Sequence, residues 1–219
     1  MKVGTDGVLL GAWAPISHNP YSILDIGTGS GLIALMLAQR THAEQIDALE
    51  IDDDAYEQAS DNFENSPWAD RLFCFHAGLD EMIDDPEDTY DLIVSNPPFH
   101  TENYFSDDDK RNTARFTESL PPDHLLDGTA ALLSPDGVFA VIIPQKEEVH
   151  FLKLASERDL HPFKITHVKG TPESPIKRSL IAFSRKQLPT EKDVLVIETE
   201  RHVYTQEYIE LTKEFYLKM

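Results

Sequence analysis

The sequence of 219 residues predicts an α/β protein in which a mostly parallel sheet carries helices on both faces. Three observations carry that prediction. Short apolar runs alternate with stretches of helical periodicity along most of the chain; the first run ends in a glycine-rich turn; the second and fourth end in residues with chemistry of their own. Ligands of such sheets bind beyond the carboxyl ends of the strands, where the strand order reverses. The length suits a single domain, residues 1–219, without repeats, low-complexity tracts or interdomain linkers.

In chain order, Ser22–Ile26 is the first strand. Ser30–Arg40 follows as a helix, with Leu32, Leu35, Met36 and Ala38 at helical spacing and Ser30 as its N-cap. Gln45–Ile51 reads as the second strand and Asp53–Asn65 as a helix whose acidic first turn suits the helix dipole. Leu72–His76 is a third strand, and Tyr90–Ser95 a fourth, entered after the turn-like Asp84-Asp85-Pro86. A loop rich in Asp and Asn runs from Asn96 to about Asn112. The next helix ends near Leu133, with Ser134-Pro135-Asp136-Gly137 as its stop signal. Val138–Ile143 is a fifth strand, Glu147–Arg158 a helix, and Phe163–Lys169 and Leu180–Ser184 two further strands. Asp193–Thr199 is a candidate for one more, and Thr205–Lys218 reads as a closing amphipathic helix.

A formal net charge of −20 argues against a nucleic-acid partner until its distribution is read. Thr41–Asp109 holds 21 acidic residues and one basic residue, Arg71, so that stretch carries the whole excess. Phe151–Gln187 holds eight Lys or Arg against three acidic residues, and a polyanion can dock there while the acidic side faces water. One cysteine, Cys74, excludes an internal disulfide and fits a reducing cytoplasm. Between Phe73 and Phe75 it reads as a buried strand residue rather than a reactive thiol. No apolar run reaches the length of a membrane span and no secretory signal pattern opens the chain, so a soluble, cytoplasmic protein is expected. Nine histidines lack metal-ligand spacing, so no metal site is expected, and Trp13 and Trp68 read as packing residues.

Three motifs follow the first, second and fourth strands. Asp25-Ile26-Gly27-Thr28-Gly29-Ser30-Gly31 lets the backbone turn tightly and approach a ligand with no Cβ in the way, before a helix N-terminus. A dinucleotide fingerprint needs a glycine where Leu32 stands. Glu50 ends the second strand about 20 residues later, where a carboxylate can accept both ribose hydroxyls of an adenosine-containing cofactor. Ile51 can pack on the adenine face. The third motif, Ser95-Asn96-Pro97-Pro98-Phe99, is the most specific. Two prolines remove backbone donors and stiffen the turn, so that the Asn96 side-chain oxygen and the Pro97 carbonyl can accept from one NH₂ group while Phe99 stacks on a flat base or amide. The lone pair of such a nitrogen is delocalised. Two acceptors that localise it, aimed at the methyl of a sulfonium donor, leave alignment and electrostatics to carry catalysis without a dedicated base.

On these residues the chain resembles the class I methyltransferases, and within them the bacterial tRNA(Val) N6-adenine methyltransferases, over nearly its whole length. Lys2-Val3-Gly4-Thr5-Asp6-Gly7-Val8-Leu9-Leu10-Gly11-Ala12-Trp13 is similar to the family's opening motif, which closes over the methionine end of the cofactor. Ala114-Arg115-Phe116-Thr117 resembles its post-catalytic segment, and Tyr204-Thr205, Tyr208, Leu211-Thr212 and Phe215-Tyr216-Leu217 its C-terminal helix. The resemblance implies a Rossmann-like fold with a seven-stranded sheet, antiparallel near Leu180–Ser184. It implies S-adenosylmethionine as cofactor, S-adenosylhomocysteine as product, and transfer to the N6 of adenine 37 of tRNA-Val. It implies cofactor contacts from Lys2, Gly4, Thr5 and Asp6, from Asp25, Gly27, Gly29 and Gly31, from Glu50 and Ile51, and from Asp80 to the adenine amino group. The family places that acidic residue straight after the small residue following strand three; here the order is Gly78-Leu79-Asp80. Family members also carry roughly a helical turn or more before the Lys-Val-Gly motif, so a missing N-terminal segment is an expectation.

Lys110, Arg111 and Arg115, with Phe116, can hold phosphates and stack a base beside a flipped adenine, or can balance Asp107-Asp108-Asp109. Tyr104 and Phe105 are candidates for a lid, and Lys164, Lys169, Lys177 and Arg178 for an RNA surface. A monomer is favoured. Four alternatives stay open: an RNA guanine-N2 methyltransferase, which shares Ser-Asn-Pro-Pro-Phe-His; a protein glutamine-N5 methyltransferase; a non-catalytic RNA- or protein-binding module; and a nicotinamide-dependent oxidoreductase, for which the third glycine is missing. A melting temperature raised by S-adenosylhomocysteine and not by NAD separates the cofactor classes.

Overall fold

The computed structural model describes residues 4–83, 89–98 and 120–217. Five strands point one way: β1 (Ser22–Ile26), β2 (Gln45–Glu50), β3 (Leu72–His76), β4 (Tyr90–Ser95) and β5 (Leu133–Pro144). Three more complete the sheet, β6 (His161–Lys169), β7 (Ile176–Ser184) and β8 (Glu191–Val196). The order is β3-β2-β1-β4-β5-β7-β6-β8. Only β7 is antiparallel to its neighbours, and β8 runs parallel to β6 at the edge. Among the described residues the sheet therefore has eight strands, where seven were expected. The interior strands β1, β4 and β5 are covered on both faces, which is why their sequences are continuous apolar runs.

Alternate residues of each strand feed two cores. On one face α1 (Thr5–Trp13), α2 (Leu32–Arg40), α3 (Asp53–Glu64) and α7 (Gln206–Thr212) cover Ile23, Ile46, Leu92, Val94, Ile142 and Leu180. On the other, α4 (Leu79–Ile83), α5 (Pro122–Leu132) and α6 (Glu148–Ser156) cover Leu24, Ile93, Val141, Ile165 and Ile181. There Phe139, Phe151 and Phe183 lie 5.7–6.5 Å apart between ring centroids. Trp13 packs as the sequence suggests: its Nε1 donates to Thr166 Oγ1 at 2.8 Å, and the Lys164 ammonium sits 5.0 Å from its ring centre. Buried Glu148 opens α6 and accepts from Ser179 on β7, with His167 of β6 at 2.8 Å, so one carboxylate joins three elements. Among the described residues no helix is long and apolar enough to cross a membrane.

The elements depart from the sequence reading where backbone geometry overrides residue type. Ser30 is not the N-cap of α2; Gly31, at φ 79°, precedes Leu32. Gly27, Gly29 and Gly31 all have positive φ, so no helical turn can begin before Leu32. Ser134–Gly137, expected as a helix stop, belongs to β5, which starts directly after α5 and carries a bulge opposite Tyr90–Leu92. The closing helix starts where expected, just after the pair β9 (Glu198–Glu200) and β10 (Val203–Tyr204), but ends at Thr212, earlier than expected. Thr205 caps it, accepting from Tyr208 N at 3.2 Å. Cys74 lies on β3 but is half-buried, because β3 is an edge strand; burial pushes its thiol up to about 11.

Candidate active site

The three motifs meet at the carboxyl ends of β1, β2 and β4, around a cavity of about 750 Å³. The glycine loop is fixed from below. Gly27 N and Thr28 N both donate to Leu49 O at 3.0 Å, and Gly31 N to Thr28 O at 3.1 Å. A Cβ on Gly27 would meet no atom within 4 Å, since that face opens into the cavity. A Cβ on Gly31 would lie 2.4 Å from Phe63, so Gly31 serves the packing of α2 on α3. Gly27 and Gly29 line the cavity and Gly31 does not.

Asp25 also lies behind the wall. It is fully buried; Oδ2 accepts from Thr28 Oγ1 at 2.6 Å and from Ala34 N at 3.2 Å, and Oδ1 has no hydrogen-bond partner among the described residues. Burial pushes its carboxyl up to about 7; the bonds from Thr28 and Ala34 oppose the rise, and the charge of Glu50 adds to it. Asp25 thus ties the loop to the first turn of α2 without touching the cavity.

Glu50 is on the wall. Its Oε2 accepts from Gly29 N at 2.8 Å, and its Oε1 from Ile51 N at 2.9 Å and Asp52 N at 3.0 Å. These bonds hold the carboxylate rigidly while its remaining lone pairs can accept from a ligand's hydroxyls. Ile51 beside it is 49% exposed, an apolar side chain open to the cavity. Asp80, in the first turn of α4, lines the same end.

On β4, Ser95 Oγ donates to Ile26 O at 2.9 Å, which binds the ends of β4 and β1 together. Asn96, Pro97 and Pro98 therefore leave the sheet beside the glycine loop, and all three line the cavity. Gly4 and Asp6, at the start of α1, and Arg178, near the start of β7, close the far side. Arg178 Nε donates to Asp6 Oδ2 at 2.8 Å. Thr5 and Lys177 are not on the wall. Lys2, Phe99, Tyr104, Lys110, Arg111, Arg115 and Phe116 lie outside the described residues.

Sequence reasoning missed Leu49, Leu120, Pro121, His124, Ile142 and Pro144, which also line the wall. Pro121-Pro122 signals a helix start, but nothing local shows that this start faces a cavity. Among the described residues no three His, Cys, Asp or Glu cluster as metal ligands.

Residues 14–156 match the model of the methyltransferase small domain. The chain belongs to that family. The tRNA1(Val) (adenine(37)-N6)-methyltransferase of Flavobacterium johnsoniae is 67% identical over 220 residues, covering 100% of this chain and 94% of its own length. Proteins of the same description from Christiangramia forsetii and Yersinia pestis are 57% and 41% identical, covering 100% and 99% of this chain and 92% and 88% of their own lengths. A predicted O-methyltransferase from Agrobacterium tumefaciens has the same fold, with a TM-score of 0.74 at 16% identity over 95% of this chain and 96% of that one. So has a putative RNA methyltransferase from Pyrococcus horikoshii, with a TM-score of 0.62 at 16% identity over 85% and 87%. The methyltransferase takes S-adenosylmethionine, and its cavity fits that cofactor: a carboxylate at the β2 end, a Cβ-free loop at the centre and a charge pair at the far end.

Proposed function

We propose that the protein methylates the N6 amino group of adenine 37 in tRNA-Val, with S-adenosylmethionine as donor. One observation carries the reading: the Asn96-Pro97-Pro98 turn and the Glu50 carboxylate open onto one cavity, so an amino nitrogen and an adenosine-bearing donor meet there. The relatives that match along the full chain, by the name they bear, support the same substrate. When bound, the cofactor supplies an electrophilic methyl on a sulfonium.

The chain's own residues do the rest. Glu50 accepts the ribose hydroxyls, Ile51 lies on the adenine, and Asp80 accepts from the adenine amino group. Gly27 and Gly29 admit the donor close to backbone. Asn96 Oδ1 and the Pro97 carbonyl accept the two hydrogens of the substrate N6, which turns the nitrogen lone pair out of conjugation and toward the methyl. Alignment of this kind is worth several kcal/mol of barrier, so no general base is required before transfer, and the methylated nitrogen then releases its surplus proton to water.

The tRNA approaches over the β6–β7 turn. β6 ends at Lys169 and β7 starts at Ile176, which places Lys169 and Lys177 at the cavity end of the sheet. Much of the remaining basic segment is engaged at the opposite end: Arg158 pairs with Asp127, Lys186 with Asp136, and Arg185 donates to Ala130 O and Leu133 O. The test is methyl transfer from labelled donor to unmodified tRNA, followed by nucleoside analysis. Label in N6-methyladenosine supports the reading. Label in N2-methylguanosine, or none in RNA, sinks it.

A further inference from the structure

One pair of opposite charges stands on the cavity wall: Asp6, among the cofactor contacts that the resemblance implies, and Arg178, a candidate for the RNA surface. Asp6 on α1 and Arg178 on β7 are 172 residues apart in the chain, joined Oδ2 to Nε at 2.8 Å, and both face the cavity. Glu50 and Asp80 are acidic, and among the described wall residues Arg178 is the one Lys or Arg. Its Nη1 donates to Lys177 O at 3.2 Å, and its Nη2 makes no hydrogen bond among the described residues. Among these residues, Nη2 and the second hydrogen of Nη1 are therefore left to donate to a planar anion.

The strand order says which part of a bound donor lies there. Glu50 ends β2 and takes the ribose; Asn96 follows β4 and faces the transferring methyl; Arg178 stands beyond β5, on the next strand of the sheet. With adenosine at β2 and the sulfonium at β4, the amino-acid tail of the donor continues toward α1 and β7. That tail is a zwitterion. Taking an ammonium and a carboxylate out of water is costly unless each meets an opposite charge.

We propose that Arg178 binds the α-carboxylate of S-adenosylmethionine while Asp6 orients the guanidinium and takes the α-ammonium, so that the pair is a two-charge clamp for the amino-acid end of the cofactor. The inference rests on the assignment of S-adenosylmethionine to this cavity. It moves Arg178 from the RNA surface that the sequence suggested to the cofactor wall. The pair also exists before ligand arrives, so the clamp is preorganised and loses little freedom on binding.

Calorimetric titration with three probes tests it. S-adenosylhomocysteine carries both tail charges, its decarboxylated analogue keeps only the amine, and 5′-methylthioadenosine has neither. Arg178→Gln should weaken S-adenosylhomocysteine by about tenfold or more and leave the other two within about twofold. Asp6→Asn should weaken S-adenosylhomocysteine and its decarboxylated analogue but not 5′-methylthioadenosine. Arg178→Lys, which keeps the charge and loses the fork, should restore part of the loss.

Equal weakening of all three probes by Arg178→Gln would mean a distorted cavity and would overturn the clamp. Unchanged S-adenosylhomocysteine affinity with a raised KM for tRNA would return Arg178 to the RNA surface. A wild-type protein that binds none of the probes would remove the cofactor assignment itself, an outcome distinct from a wild type that binds and a variant that binds equally well.

Discussion

Asp25 and Glu50 end neighbouring parallel strands, yet the fold uses their carboxylates in different ways. Glu50 accepts three backbone N–H bonds and stays on the cavity wall, ready for hydroxyls. Asp25 is sealed beneath the loop, and burial lifts its carboxyl to about 7. The unfolded chain ionises this group near 3.8, so between these values the folded state holds the extra proton. The stability it lends is fully present below about pH 4 and falls as pH rises toward 7, by about 1.4 kcal/mol per unit. Asp25→Asn cannot ionise and should lack this slope. Urea midpoints measured from pH 5 to pH 7 should show the wild type losing ground to the variant; parallel profiles would mean that Asp25 titrates as in the unfolded chain. At the other motif, Asn96→Ala should lower kcat by about 10²–10³-fold, because it removes an acceptor used in the transition state. Its affinity for S-adenosylhomocysteine should stay within about twofold of wild type. Equal loss of both would refute the role given to Asn96.

The glycine loop and α2 show how one residue type serves two ends within a single element. Gly27 faces ligand space, whereas Gly31 combines a left-handed backbone with a Cβ position 2.4 Å from Phe63. Gly31→Ala should therefore cost about 2–4 kcal/mol, the left-handed penalty plus overpacking, read as a lower denaturation midpoint. A neutral result would mean that α3 moves aside freely. The central elements were legible in the sequence because strands buried on both faces must be apolar throughout, as in Leu92–Val94 and Val138–Ile143. Their motifs were legible because glycine, carboxylate and proline chemistry sits at their ends. Less of the periphery was readable. β8 reads Glu191-Lys192-Asp193 over its exposed first half, so its strand signal is faint and its bounds were misjudged. Ser30 is a favoured cap residue, yet positive φ on both sides of it decides where α2 begins. The joining of Asp6 to Arg178 is a product of topology, and no window of sequence contains both.

At the scale of the whole molecule, the excess negative charge lies in one stretch, residues 41–109, which forms β2, α3, β3, α4 and β4 among its described parts. The far half of the sheet carries Lys169 and Lys177 at the β6–β7 turn, with Lys169 Nζ donating to Pro172 O at 2.6 Å. A polyanion is thus repelled from one half and admitted at the other. Replacing Lys169 and Lys177 by Gln should flatten the dependence of log K for tRNA on log salt by about 0.7–0.9 per lost phosphate contact, with cofactor affinity unchanged. An unaltered slope would place the RNA elsewhere. The antiparallel strand within the large sheet also governs how this molecule can fail as it is made. β7 lies between β5 and β6 but leaves the ribosome after both. Until Ile176–Ser184 is synthesised, β5 and β6 each present an unpaired edge, and the β5 edge belongs to a strand whose residues Val138–Ile143 are buried in the finished sheet. A chain that stops at the turn after Lys169, through a stalled ribosome or a nonsense codon, keeps that apolar edge bare and is a template for aggregation.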